Sequence, residues 1–112
     1  MVMAKPYIPK RGDIAWTDFN PAAGHEQMGK RPAIVLSPSA FNKKILLALV
    51  APITSRVRGH GFEVALKGKK INGVMLCHQV KTIDFIERGL QFAEKAPASV
   101  VSEVLSKVNF KA

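Results

Sequence analysis

Cysteine, acidic residues and long hydrophobic runs are all scarce in this chain of 112 residues. Its one cysteine, Cys77, excludes an internal disulfide and a zinc site built from several cysteines, and it fits a reducing compartment. The longest apolar run, Ile45–Ile53, is about half as long as a membrane-spanning helix. The N-terminal segment MVMAKPYIPKRG lacks the apolar stretch of a secretory signal peptide. We therefore expect a cytoplasmic protein without a membrane-spanning segment.

The shortage of acidic residues leaves a large positive charge. Eight Asp and Glu stand against 17 Lys and Arg, which gives a net charge of +9. The basic residues cluster in segments that lack an apolar pattern, namely Lys5–Arg11, Lys30–Arg31, Arg56–His60 and Lys67–Lys70. This charge pattern predicts a polyanionic partner, with nucleic acid as the first choice and an acidic protein as the second.

The hydrophobic pattern predicts one folded domain over residues 1–112, because 47% of the residues are hydrophobic and no linker divides them. Short apolar runs separated by turn residues are typical of a small β-barrel. The predicted strands are Asp13–Phe19, Ala33–Ser37, Ile45–Pro52, Phe62–Leu66, and one long or two short strands within Gly73–Phe85.

After Pro97 the pattern changes to the three-and-four spacing of an amphipathic helix. The apolar positions of this segment are Val100, Val101, Val104, Leu105 and Val108. The fold class is therefore mostly β, an antiparallel barrel with a C-terminal helix. Trp16 and Phe19 are expected in the core, with base stacking as the alternative.

The segment Gly24–Ser37 (GHEQMGKRPAIVLS) carries the strongest functional signal. It is a polar loop that runs into an apolar strand, and Arg31 stands at the junction. The next apolar run ends in two hydroxyls, Thr54 and Ser55. A guanidinium binds phosphate oxygens in pairs and hydroxyls donate to them, so this pattern predicts a site for a phosphodiester.

His25 and Glu26 supply groups for proton transfer in the same loop. A neutral imidazole is well matched to acid–base chemistry near pH 7, and His78 is a second candidate. Structural interpretations stay open as well. Arg31 fits a surface charge, Thr54 fits a turn residue that satisfies the backbone, and His25 fits an ordinary loop residue.

Five segments together resemble the MazF/PemK family of toxin endoribonucleases, in order and in spacing. They are RGDIAWTDFNP, GHEQMGKRPAIVLSPSAFN, VAPITSR, GFEVAL and GVMLCHQVKTID. The resemblance implies the SH3-like barrel shared by MazF, PemK and CcdB, with an appended helix, and a homodimer. It also implies sequence-selective cleavage of single-stranded RNA, mostly mRNA, without a metal or other cofactor, by attack of the 2′-hydroxyl on its own phosphate. An acidic antitoxin would inhibit the enzyme.

The resemblance assigns roles to particular residues. Arg31 matches the family's catalytic arginine and Thr54 its catalytic threonine, while His25 and Glu26 match catalytic loop residues. The predicted RNA-binding residues around them are Lys30, Ser55, Arg56, Arg58, His78 and Gln79. The chain departs from the PemK branch where Leu76 and His78 replace a catalytic arginine and aspartate, so that branch's acid–base assignment is not transferred.

Two other functions compete with the nuclease. A small basic barrel also fits a non-catalytic module that grips nucleic acid by its backbone. Toxins that inhibit gyrase share the barrel, but they lack the GHEQ…RP and PITS pattern.

Overall fold

A computed structural model describes residues 7–19, 29–59 and 61–108 of the chain. In these ranges the fold is built from strands, with short helices between them and a longer helix at the C-terminal end. The elements are β1 (Asp13–Asp18), β2 (Lys30–Val35), α1 (Ser39–Ile45), β3 (Ala48–Thr54), β4 (Glu63–Lys67), β5 (Asn72–Leu76), β6 (Lys81–Ile83), α2 (Phe85–Arg88), β7 (Gln91–Lys95) and α3 (Ala98–Val108). No helix among the described residues is long and apolar enough to cross a membrane.

The strands form one antiparallel sheet in the order β4-β5-β3-β2-β1-β7, with β6 paired to β3. β3 is the central strand, since it pairs with β2, with β6 near its start and with β5 at its end. The sheet curls into a half-barrel, which confirms the predicted fold class. The pairing places the end of β3 beside the start of β2 and, through Thr54 and Val74, beside β5.

Side chains alternate along the strands and pack into two buried clusters. Ile14 and Ile34 belong to the first cluster, which α3 covers with the fully buried Val104. The other apolar residues of α3 are half-buried against the same cluster, as the predicted helical spacing requires. The second cluster includes Ala33 and Phe19, and Trp16 packs on the first, so both aromatic residues are part of the core as predicted.

Several predicted boundaries are wrong. β2 begins at Lys30, so Arg31 lies within the strand and not before it. β3 begins at Ala48, because Ile45 is the last residue of the unpredicted helix α1. The buried side chain of Asn42 explains this helix: its amide donates to the Pro9 carbonyl at 2.9 Å and it accepts from the Ser37 hydroxyl at 2.5 Å. These bonds fix a turn that an apolar pattern does not reveal.

The Gly73–Phe85 segment forms two short strands, β5 and β6, which was one of the two predicted alternatives. Helix α2 and strand β7 follow it and were not predicted. The predicted strand Phe62–Leu66 starts one residue too early: Phe62 precedes β4 and is 48% exposed, whereas Val64 and Leu66 within the strand are buried.

Candidate active site

Arg31 and Thr54 lie at the same end of two neighbouring strands. β2 and β3 run antiparallel, and Ala33 pairs with Pro52. Arg31 and Thr54 each lie two residues beyond that pair, in the same direction along the sheet. Because side chains two residues apart share a face of a strand, both project from the face of the Ala33–Pro52 pair. The register therefore places a guanidinium and a hydroxyl on one face, at the same end of two neighbouring strands.

Local contacts fix the Thr54 side chain. It is 6% exposed, and its Oγ1 accepts a hydrogen bond from the Arg56 amide at 3.2 Å. This is the local bond by which a threonine organises the turn after a strand. Thr54 also pairs with Val74 of β5. The hydroxyl is thus both a turn-forming group, as the structural interpretation held, and a donor at the end of the sheet.

The loop that follows Thr54 carries exposed polar and basic side chains. Ser55, Arg56 and Arg58 are all exposed, which suits contacts with a charged ligand. Glu63, the first residue of β4, anchors the loop: its carboxylate accepts hydrogen bonds from the Arg58 amide at 3.1 Å and the Gly59 amide at 2.9 Å. The loop therefore returns to the sheet at a fixed point beside β5.

On the other side of β2, Thr17 of β1 pairs with Arg31. Its side chain is 1% exposed, and its hydroxyl has no hydrogen-bond partner among residues 7–19, 29–59 and 61–108. Lys30 is exposed and pairs with Asp18, whose carbonyl accepts a hydrogen bond from the Arg88 guanidinium. Lys30 therefore adds a cation beside Arg31 at the start of β2.

His78 and Gln79 lie in the turn between β5 and β6. The His78 side chain is exposed and lies against the Phe62 ring, with a centroid distance of 5.8 Å. The Gln79 side-chain amide is 3.4 Å from Nε2 of His78. The amide of Cys77 donates to the Phe62 carbonyl at 3.0 Å and holds this turn against the end of the Thr54 loop. The structure thus places His78 and Gln79 beside the loop that begins at Thr54.

Two residues near His78 are buried. Leu76 is 4% exposed and lies in the core, which is consistent with the loss of an arginine function at this position. Burial raises the pKa of the Cys77 thiol to about 11. A thiol in that state is not a nucleophile at neutral pH.

The predicted catalytic residues His25 and Glu26 lie outside the described residues. The described parts of the chain hold no group of three or more His, Cys, Asp or Glu side chains arranged for a metal ion. Thr54 and Arg31 are therefore the two catalytic candidates whose positions the structure gives.

Three residues near the site were not predicted to be functional: Phe62, Glu63 and Gly73. The alternating pattern of the predicted strand Phe62–Leu66 places Phe62 on one face with Val64 and Leu66, and gives no sign of its exposure. Glu63 acts through backbone amides, which leave no trace in a sequence. A glycine within a strand is a weak signal that another backbone segment approaches it closely. Gly73 in β5 fits this signal, because a Cβ there would overlap the Thr54 carbonyl.

Nearly the whole chain matches a known protein family. Residues 10–110 match the model of the PemK-like, MazF-like toxins of type II toxin–antitoxin systems. The chain is 39% identical over 107 residues to the endoribonuclease toxin MazF of Escherichia coli K12, an alignment that covers 96% of both chains. It is 40% identical over 105 residues to the Escherichia coli endoribonuclease PemK, covering 89% of this chain and 79% of that one.

Solved structures agree with the sequence relatives. The crystal structure of MazF from Deinococcus radiodurans superimposes with a TM-score of 0.86 at 42% identity, over 91% of this chain and 94% of that one. MazF in a MazE–MazF crystal structure from the same organism gives a TM-score of 0.80 at 42% identity, over 91% and 93% of the two chains. The chain therefore belongs to the PemK-like, MazF-like toxin family of type II toxin–antitoxin systems.

Proposed function

We propose that this protein is an endoribonuclease toxin that cleaves single-stranded RNA, with Arg31 and Thr54 at the scissile phosphate. The observation that supports the proposal most strongly is the placement of these two side chains on one sheet face, at one end of adjacent strands. Relatives that are about 40% identical over nearly the whole chain are named endoribonucleases.

The proposed reaction is an intramolecular transesterification. The 2′-hydroxyl loses its proton to a base and attacks the adjacent phosphorus. The bond from phosphorus to the 5′-oxygen breaks, and an acid protonates that oxygen. The products are a 2′,3′-cyclic phosphate and a 5′-hydroxyl. Because the nucleophile is part of the RNA, the reaction needs no metal-activated water.

Arg31 and Thr54 fit one of the three tasks of this reaction. Negative charge grows on the non-bridging phosphate oxygens in the transition state, and fixed donors stabilise it. The guanidinium of Arg31 offers two parallel N–H donors, and the Thr54 hydroxyl offers a third donor. A guanidinium stays protonated in proteins, so Arg31 is not the base. We assign proton transfer to His25, with Glu26 orienting it or the RNA, and His78 as a second group.

The RNA path follows the exposed cations around the site. Lys30 precedes Arg31 in the strand, and Arg56 and Arg58 follow Thr54 in the loop. Cations spaced in this way bind phosphates without regard to sequence. Ser55, His78 and Gln79 add side chains that hydrogen-bond to sugars or base edges.

Cleavage of a synthetic RNA in excess EDTA tests the function directly. We expect cutting of the all-ribose strand and none where the scissile nucleotide carries deoxyribose. If the deoxyribose substrate is cut normally, the transesterification mechanism is wrong. If RNA binds and is never cut, the chain is a binding module and not a nuclease.

Variants of the two placed residues test the site. Arg31→Ala should lower the cleavage rate by roughly a hundredfold or more, the usual cost of losing a transition-state donor. Thr54→Val should cost somewhat less, and Thr54→Ser should recover the rate because it restores the hydroxyl. Lys43→Ala is the matched control, since it removes an exposed cation of α1. If Arg31→Ala folds and is fully active, the assignment of Arg31 to the scissile phosphate is wrong.

We propose an acidic antitoxin as the protein partner, in the cytoplasm. Relatives of this fold are seen in MazE–MazF complexes, and this chain carries a net charge of +9. Contacts between opposite charges at an interface rim weaken as salt rises. Titration with an acidic antitoxin peptide at low and high salt tests this. An affinity that does not change with salt would contradict an electrostatic contact.

We also propose a homodimer. An apolar groove of about 290 Å³ lies between the start of α1 and the C-terminal half of α3. Phe41, at its edge, is 47% exposed, and Leu36, Leu49, Leu105 and Val108 line the rest. A second copy of the chain would bury these side chains. Sedimentation of the wild-type protein should give about twice 12.2 kDa. Phe41→Asp should give the mass of a single chain. Phe92→Asp is the control outside the groove and should keep the dimer mass. A wild-type protein of single-chain mass at micromolar concentration would contradict the dimer.

A further inference from the structure

The carboxylate of Glu94 is bound by the backbone of the turn between β4 and β5. It accepts hydrogen bonds from three consecutive amides, those of Lys69 at 2.9 Å, Lys70 at 2.7 Å and Ile71 at 2.7 Å. Hydrogen bonds to a charged group are stronger than those between neutral groups, so three of them on one carboxylate fix the turn. The amide of Gly68 closes the same turn by donating to the Ile71 carbonyl at 2.9 Å.

Two features of the chain accommodate this carboxylate. A Cβ at Gly68 would lie 2.6 and 2.7 Å from the two carboxylate oxygens of Glu94, so a side chain at that position would displace the carboxylate or the turn. On β7, the register with β1 shifts directly before Glu94, where Ala93 is an extra residue. A β-bulge of this kind changes the direction of nearby side chains. The contact between Glu94 and the turn is therefore a built part of the fold.

Glu94 connects the two ends of the sheet. β4 and β5 lie at one end of the strand order, and β7, which carries Glu94, lies at the other. The contact between Glu94 and the β4–β5 turn therefore spans the half-barrel and holds its curl. Because β5 follows the turn directly, the contact also sets where β5 lies.

The turn leads directly to the end of β3. Ile71, whose amide is bound by Glu94, is 7% exposed, and β5 begins at the next residue. Gly73 lies so close to β3 that a Cβ there would overlap the Thr54 carbonyl, and Val74 pairs with Thr54. Closely packed segments transmit a displacement to their neighbours. A shift of the turn would therefore move the backbone that carries the Thr54 hydroxyl.

We infer that Glu94 is a positioning residue for the cleavage reaction, because by holding the β4–β5 turn it fixes the place of the Thr54 hydroxyl at the scissile phosphate. The inference rests on the proposed cleavage of RNA and adds to it a residue from the opposite end of the sheet. Glu94 acts through the turn and not on the RNA, so its loss lowers kcat and leaves KM unchanged.

The test is a double-mutant cycle measured by cleavage of a synthetic RNA. Glu94→Gln replaces one acceptor oxygen with an NH2 group, which cannot accept from the turn. It should lower kcat roughly tenfold with KM unchanged, since a catalytic group misplaced by about 1 Å costs up to about a hundredfold. In a Thr54→Val background, which lacks the hydroxyl, the same substitution should change kcat by less than about twofold. Glu103→Gln makes the same change of charge at an exposed position of α3 and should keep both constants.

The outcomes separate positioning from the proposed function and from stability. If the wild-type protein does not cleave RNA, the proposed function fails. If it cleaves RNA and Glu94→Gln lowers kcat equally with and without the Thr54 hydroxyl, or not at all, the positioning role alone is wrong. Urea unfolding identifies conditions in which every variant is folded, so that lost stability does not enter the rates. If Glu94→Gln does not fold, Glu94→Asp replaces it under the same criteria, because it keeps the charge and shortens the side chain by one carbon.

Discussion

The backbone of Gly73 packs directly against the carbonyl of Thr54. A Cβ at position 73 would lie well inside van der Waals contact with that carbonyl, and the φ of Gly73 is +153°, a conformation that other residues rarely adopt. The glycine therefore lets β5 approach the end of β3 and sets the position of the Thr54 backbone. Because position 73 requires glycine, the packing of β5 on β3 and the position of Thr54 depend on the same residue.

Gly73→Ala should lower both stability and cleavage. The strained backbone and the clash should together cost at least about 2 kcal/mol of unfolding free energy. The cleavage rate per folded molecule should also fall, because the Thr54 hydroxyl is displaced. Urea unfolding and single-turnover cleavage measure the two effects.

Gly89→Ala is the control for Gly73→Ala, since Gly89 has a φ of +65° but open space around it. It should lose stability and keep its rate per folded molecule. If Gly73→Ala also keeps its cleavage rate per folded molecule, Gly73 acts through stability alone.

Thr17→Val should stabilise the protein. The Thr17 hydroxyl is buried without a hydrogen-bond partner among the described residues, and a buried unpaired polar group costs about 1–3 kcal/mol. Valine keeps the branched shape and removes that cost, so unfolding free energy should rise by about 1 kcal/mol and cleavage should stay unchanged. A destabilised Thr17→Val would show that the hydroxyl is paired in solution.

Glu94 should make stability depend on pH. Its carboxylate accepts hydrogen bonds from the amides of Lys69, Lys70 and Ile71, at 2.7 to 2.9 Å, and joins β7 to the turn between β4 and β5. Desolvation raises the pKa of Glu94, but these three amides outweigh it and hold the pKa below its ordinary value of 4.5.

Because the folded state lowers this pKa, the stabilisation is complete above the unfolded value and is lost as pH falls through the folded one. Glu94→Gln should therefore be less stable than wild type at pH 7, and the difference should shrink below about pH 4.5. Unfolding in urea across pH 3 to 7 measures it. A difference that stays constant across this range would show that the carboxylate charge is not involved.

The parts of the fold that could be predicted are those with a periodic pattern. The alternation at Glu63–Lys67 and the helical spacing at Ala98–Val108 are determined by burial on one face, so sequence reveals them. Helix α1 depends on the buried amide of Asn42, and β7 has just two partly buried residues, so neither has a strong pattern.

The candidate site likewise has features that the sequence predicts and features that it does not. Arg31 and Thr54 could be predicted because each adjoins an apolar strand, and their common face follows from the register of β2 and β3. The exposure of Phe62 and the anchoring by Glu63 could not, because both depend on where the loop after Thr54 rejoins the sheet.

We expect His25 to be the main proton-transfer group. Since Arg31 and Thr54 fit charge stabilisation, a separate group must accept the 2′-hydroxyl proton, and general acid–base catalysis contributes on the order of a hundred- to ten-thousandfold. His25→Ala should lose at least the lower end of that range, and the wild-type rate should change between about pH 5.5 and 7.5, where an imidazole titrates. At saturating RNA, the double variant with His78→Ala should lose no more than His25→Ala if His78 serves only to bind RNA. A near-normal rate in His25→Ala with a flat pH profile would exclude histidine catalysis and leave Arg31 and Thr54 to act through charge stabilisation and positioning.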